Sequence, residues 1–235
     1  MERSNTERVD DGQSPSGASV PQSRKYSNKR IISIIKKTWY IILLVILAVA
    51  GLIFWRVNIS NQNSAWDRAT AYFAKADYDN VAKEIDGLPV PDDAARLKVY
   101  AQTMLAKRNL DKALPAYEKL YASTKEPSYK IILGNIYNEQ KNYDKAITAY
   151  KEVITDNPGS VQAYVNLAIL YKLQNKIAEA TTVANDAVKK NPSNVTLLEL
   201  KVSMLMEDKT TDDYKTAVKD LTALNPQDPL LDSLK

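Results

Sequence analysis

Leu133 to Pro158 reads LGNIYNEQKNYDKAITAYKEVITDNP. Tyr143, Ala146, Tyr150 and Val153 stand at helical spacing, so three-residue and four-residue steps place them on one face. Leu133, Gly134 and Tyr137 form a second set just before it. Asn157-Pro158 closes the stretch, as proline beyond a helix end does. The reading is two helices joined by a short turn.

The pattern recurs in both directions. Tyr78-Asp-Asn-Val81, Leu110-Asp-Lys-Ala113, Tyr143-Asp-Lys-Ala146, Ile177-Ala-Glu-Ala180 and Tyr214-Lys-Thr-Ala217 each set a large apolar residue three before a small one. The small residues lie 32, 33, 34 and 37 positions apart. Four and seven residues later come Ile85 and Leu88, Tyr117 and Leu120, Tyr150 and Val153, Ala184 and Ala187, Leu221 and Leu224. A helix precedes each set: Leu133, Gly134 and Tyr137 recur as Leu167, Ala168 and Tyr171. Gly or Ala at that place lets two helices approach closely. Asn191-Pro192 closes the next unit, and Pro115 is expected in the first turn of its helix, where a missing N–H costs little. At the last unit Ala217 is preferred as the small residue, because a tyrosine would not pack there. Units of this length cannot bury their apolar faces alone, so they stack.

A helix pair of about 34 residues with this signature resembles the tetratricopeptide repeat family. The match rests on Leu133, Gly134, Tyr137, Tyr143, Ala146, Tyr150 and Pro158, then on Tyr164, Leu167, Ala168, Tyr171, Ala180, Ala187 and Pro192, with Ala101, Ala113 and Tyr117 in the unit before. The resemblance implies units at 94–126, 127–160 and 161–194, flanked by a degenerate unit at 62–93 and a divergent unit and cap at 195–235. It implies a groove lined by the first helix of each pair, holding a protein or peptide partner: Lys98, Gln102 and Leu105, then Ile131, Asn135 and Asn138, then Val165, Asn166, Ile169 and Lys172. Asn135 and Asn166 match asparagines with which part of the family grips a terminal carboxylate. The basic positions of that clamp are occupied here by Ile131, Thr196 and Leu200, so a carboxylate clamp is not expected.

The chain has 235 residues, no Cys and no His. These absences remove disulfides, thiol nucleophiles, zinc-thiolate sites and the usual neutral-pH acid/base. Asp92-Asp93 and Asp212-Asp213 read as helix caps. Asp77-Tyr-Asp79-Asn80 lacks the glycine and terminal glutamate of a calcium loop. No phosphate loop or nucleophile motif is present. The sequence therefore predicts no enzyme, no cofactor and no metal. Residues 1–37 hold eight Lys/Arg and four Asp/Glu, and the remainder holds 24 of each sign. The neutral remainder gives no nucleic-acid footprint.

Residues 1–37 are expected to be an unstructured basic tail. Thr38 to Trp55, TWYIILLVILAVAGLIFW, has eighteen residues and no charge. A helix of that length spans about 27 Å. Its eleven Ile, Leu, Val and Phe residues favour insertion by roughly 3–7 kcal/mol. Trp39-Tyr40 and Phe54-Trp55 mark its ends. A signal peptide cleaved after Ala48-Val49-Ala50 fits less well, because the apolar run continues beyond it. Residues 38–56 thus read as a transmembrane helix in the lipid bilayer, with 57–61 a short linker. Arg24, Lys25, Lys29, Arg30, Lys36 and Lys37 precede it, and only Arg56, Arg68 and Lys75 follow closely. The positive-inside rule puts the N-terminus in the cytoplasm and the repeats outside a cell membrane.

The fold class expected is all-α, a single N-terminal transmembrane helix followed by an α-solenoid. The function expected is a membrane-anchored scaffold for envelope, secretion or surface assembly. A holdase-like chaperone, a self-assembling structural protein and an accessory subunit of a cell-wall enzyme are the alternatives. All repeats lie beyond residue 61, so deleting residues 1–56 is expected to leave a soluble, helical, folded protein. Circular dichroism with sedimentation tests this, and an aggregated or unfolded fragment refutes it.

Overall fold

The computed structural model describes residues 22–234, with side chains from Lys29 onward. Eleven α-helices and no strand occur among the described residues. The chain divides into two compact units, residues 1–61 and 62–235.

In the first unit the described residues belong to α1, Gln22–Phe73. Lys29–Phe73 contains a stretch long and apolar enough to cross a membrane, by length and composition. Two expectations are corrected. Residues 22–37 are helical rather than unstructured, and residues 57–61 are helical rather than a linker; the tail before residue 22 lies outside the described residues. Propagating an existing helix fixes one residue per hydrogen bond, far easier than nucleating one. No Pro or Gly occurs from residue 22 to 50 or from 52 to 61 to stop it.

The second unit is a row of antiparallel helix pairs. After the end of α1 come α2 (Tyr78–Glu84), α3 (Ala94–Ala106), α4 (Leu110–Thr124), α5 (Pro127–Glu139), α6 (Tyr143–Asp156), α7 (Val161–Leu173), α8 (Ile177–Lys190), α9 (Val195–Leu205), α10 (Asp212–Leu224) and the short α11 (Pro229–Asp232). Successive helices pack on one another from α2 to α10, and α7 also touches α5 and α9.

The small residues carry the packing. Ala113, Ala146, Ala180 and Ala217 are fully buried, as are Tyr117, Leu120, Tyr150 and Val153 to within 2 %. Gly134 marks the tightest approach: a Cβ there would lie 2.5 Å from Tyr150 Cε1. The first pair is degenerate because α2 stops at Glu84, leaving Ile85 as its C-cap and Leu88 beyond the helix. Gly87 at φ 70° and Pro89 turn the chain there. Trp66 and Ala69 cover Val81 in compensation. Leu224 is 46 % exposed and leaves the apolar face expected of it.

The turn inside each of the first four pairs repeats closely, while the α9–α10 turn differs. Ala76, Arg108, Lys141 and Asn175 all adopt positive φ, between 54° and 60°. The next residue's N–H reaches back five residues in every case: Asp77 to Tyr72, Asn109 to Met104, Asn142 to Tyr137 and Lys176 to Tyr171, at 2.8–3.1 Å. This is the helix-stopping geometry that glycine fits best. A non-glycine residue in the left-handed region costs about 1–2 kcal/mol, offset in part by glycine's greater unfolded entropy. Lys141→Gly is therefore expected to stabilise the solenoid by about 0.5–1 kcal/mol. A rise in the denaturation midpoint checks it, and a fall would show that Lys141 has a role its backbone does not reveal.

Two local expectations are also corrected. Pro115 is the sixth residue of α4, not in its first turn. The carbonyl it deprives of a donor belongs to exposed Asp111, where water serves instead. Asp93 does cap α3, accepting from Arg96 N at 2.9 Å. Asp212 and Asp213, however, lie inside the first turn of α10, and Thr211 is its cap.

Candidate peptide-binding site

The odd-numbered helices α3, α5, α7 and α9 present one row of side chains, and every residue assigned to a groove lies on it. The structure divides that set. Leu105 packs against the first core, and Ile131 and Val165 against the second. These three are half-buried spacers beneath the surface rather than free contact groups. Lys98, Asn135, Ile169 and Lys172 are exposed, while Gln102, Asn138 and Asn166 are half-buried.

Asn135 and Asn166 are brought together. Asn166 Nδ2 donates to Asn135 Oδ1 at 2.8 Å. Tyr150 Oη donates to the same oxygen at 2.6 Å. Gln162 Nε2 donates to Asn166 Oδ1 at 2.7 Å. The amide ladder thus ties α5, α6 and α7, and its orientation is fixed from beneath. Burial pushes the Tyr150 phenol up to about 12, tempered by the nearby Asn166 amide, so it remains a hydroxyl donor at any physiological pH. With Asn135 Oδ1 already accepting twice, Nδ2 is the donor this exposed residue has to offer. An extended polypeptide offers carbonyl oxygens to such a donor and N–H groups to Gln162 Oε1.

Beside the ladder, Ile169 is 44 % and Leu173 71 % exposed. They stand four apart on α7 and form one apolar step. Lys172 Nζ reaches the Ser203 carbonyl at 3.3 Å and links α7 to α9. Lys98, Gln102 and Asn138 make no contribution to the ladder. Sequence reasoning missed Gln162 and Leu173, although each lies four residues along α7 from a residue it did find.

The row ends at Glu199 on α9, 34 residues after Val165. Glu199 lies beside Asp228, and its carboxyl is pushed up first by burial and then by the neighbouring carboxylate. Asp228 is 1 % exposed; it accepts from Leu230 N at 2.9 Å and from Asn225 Nδ2 at 3.0 Å. A raised carboxyl contributes stability while protonated and loses it as pH rises through the raised value. Glu199→Gln keeps a donor toward Asp228 without that loss. It is expected to be more stable than the parent at neutral pH, by less than about 1 kcal/mol after screening, with the two converging on acidification. Parallel melting curves from the ordinary glutamate range to neutrality check this, and a gap that stays constant with pH would refute it.

A family model described as TPR repeat matches residues 134–175, the segment that carries the ladder. Residues 134–175 are tetratricopeptide repeats, and the solenoid around them has the tetratricopeptide-repeat fold. Solved structures show the same fold at low identity. MamA AMB-1 is 14 % identical, with 74 % of this chain and 96 % of that chain covered at a TM-score of 0.54. A tetratricopeptide repeat protein from Parabacteroides merdae is 15 % identical, with 73 % and 70 % covered at 0.56. A further MamA structure is 14 % identical, with 71 % and 93 % covered at 0.56. No curated protein matches the sequence significantly. The tetratricopeptide repeats support a protein–protein interaction scaffold as the coarse function.

Proposed function

We propose that this protein is a membrane-anchored scaffold whose tetratricopeptide-repeat face holds a polypeptide segment of another membrane or exported protein. The observation that carries the reading is the pre-oriented amide ladder of Gln162, Asn166 and Asn135 beside the exposed Ile169–Leu173 step. It offers main-chain hydrogen bonds and one apolar seat, with little net charge. That suits an extended, weakly charged peptide better than an acidic or basic ligand. Residues 38–56 serve as the bilayer anchor in a cell membrane, with the N-terminus cytoplasmic and the repeats extracytoplasmic. Support for this comes from the apolar run and the cations that precede it. Confinement to the membrane surface raises the effective concentration of the groove near other membrane proteins. Assembly of envelope, secretion or surface complexes is the setting this arrangement fits.

Photo-crosslinkers at Asn135 and Ile169 in the full-length, membrane-borne protein test it. One dominant membrane or exported partner is the expected result, weakened when Asn135→Ala is added. A broad smear of unrelated clients would replace the scaffold with a holdase. Adducts confined to cytoplasmic proteins would invert the topology.

A further inference from the structure

Residues 29–37, KRIISIIKK, form two and a half turns of α1 on the N-terminal side of the apolar run. At 3.6 residues per turn, Ile31, Ile32, Ile34 and Ile35 fall on one side of the helix. Lys29, Arg30, Ser33, Lys36 and Lys37 fall on the opposite side. All four isoleucines are at least half exposed, Ile34 to 63 %. The apolar side does not stop at the span. Ile35, Trp39 and Leu43 line one surface groove four residues apart, with Lys36 and Tyr40 beside them. The strip Ile31–Ile35–Trp39–Leu43 therefore runs unbroken into the apolar run.

Charge selects what covers this strip. No acidic residue occurs from 22 to 61, so the four cations meet no acidic side chain along that stretch of their own helix. The same stretch of a second copy laid alongside in register brings no acid either. An anionic bilayer surface satisfies both sides at once: acyl chains meet the isoleucines and headgroups meet the cations. We propose that residues 29–37 are an anionic-lipid-binding collar, its isoleucine side seated at the acyl–headgroup boundary and its four cations holding phosphate headgroups. The collar rests on the anchor reading, and it extends the membrane-embedded segment some two turns beyond Thr38.

The experiment uses full-length protein in nanodiscs of phosphatidylcholine, alone or mixed with phosphatidylglycerol. The chain lacks cysteine, so single substitutions report without background. Ile34→Cys and Ile35→Cys are expected to resist a water-soluble maleimide while Ser33→Cys and Lys37→Cys react. The contrast should deepen when phosphatidylglycerol is present. Lys36→Gln should lower phosphatidylglycerol enrichment among bound lipids by up to about fivefold. Equal labelling at all four positions in the anionic discs overturns the collar, as does a disulfide between copies at Ile34→Cys in proteoliposomes. Leu47→Cys, in mid-span, distinguishes the two failures. Reactive Leu47→Cys removes the anchor and the collar together, whereas protected Leu47→Cys with reactive Ile34→Cys removes the collar alone.

Discussion

Tyr150→Ala is expected to lower the stability of the solenoid by about 3–5 kcal/mol, the usual range for deleting a fully buried aromatic ring. Tyr150 is 1 % exposed, and its ring lies directly over Gly134. Its hydroxyl also holds Asn135 at 2.6 Å, so one truncation opens a cavity and frees the amide ladder. The adjacent pair solves the same contact differently. There Ala168 replaces Gly134, and Ala184 replaces Tyr150, both fully buried. Volume is exchanged between the two helices rather than lost. It follows that Gly134→Ala alone overpacks the site by about 1–3 kcal/mol, while in the Tyr150→Ala background it should cost little or help. That non-additivity is the signature of a shared contact. Denaturation of a fragment starting at residue 57 measures it, and a loss under about 1 kcal/mol for Tyr150→Ala would contradict the packing described. Tyr150→Phe separates fold from site: the ring stays, the ladder loses its anchor, and partner crosslinking at Asn135 should fall while melting changes little.

What the sequence disclosed follows from where information is local. Ala113, Ala146 and Ala180 announce a repeat because a small residue at one spacing has one physical reading, close helix approach. The register of the last unit was legible for the same reason, and Ala217 is fully buried. The helix ends of α1 were not legible. Polar residues such as Asn28 or Asn61 lower helix propensity but do not stop a helix already running, and even Gly51 lies inside α1 without breaking it. The candidate site was legible by row but not by role. Spacing puts Leu105, Ile131 and Val165 on the same helix side as Asn135, yet how deeply each sinks depends on the neighbouring helix. The ladder itself needs three side chains from two helices and a phenol from a third, a juxtaposition no single-helix pattern contains. The Glu199–Asp228 contact spans 29 residues and joins the row to a terminal turn that no repeat pattern covers.

Removing residues 226–235 is expected to have the second large effect. A repeat array leaves its last helix without a neighbour, and its outer face must be covered for the array to stay soluble. Here Leu230, Leu231 and Leu234 cover Leu198, Val202, Tyr214, Ala217 and Leu221. Asp228 N-caps the short helix that carries Leu230 and Leu231, with Leu234 just beyond its end. Full burial of a leucine contributes about 1.5–3 kcal/mol, and these three are each half-buried, so their loss amounts to about 3 kcal/mol. Because each pair contacts only its neighbours, the damage should be graded along the chain. Amide exchange in α9 and α10 should accelerate strongly, while α5 to α7 with the ladder remain protected. The same truncation examines the self-assembling alternative. An array that polymerised end to end through α10 would need that face open, whereas the cap closes it. Sedimentation should therefore show the parent fragment at constant mass across concentration and the truncated one associating through its exposed leucine face. A parent that associates as readily as the truncated form would mean that the capped end is not the barrier, and self-assembly would then displace peptide capture as the reading of this solenoid.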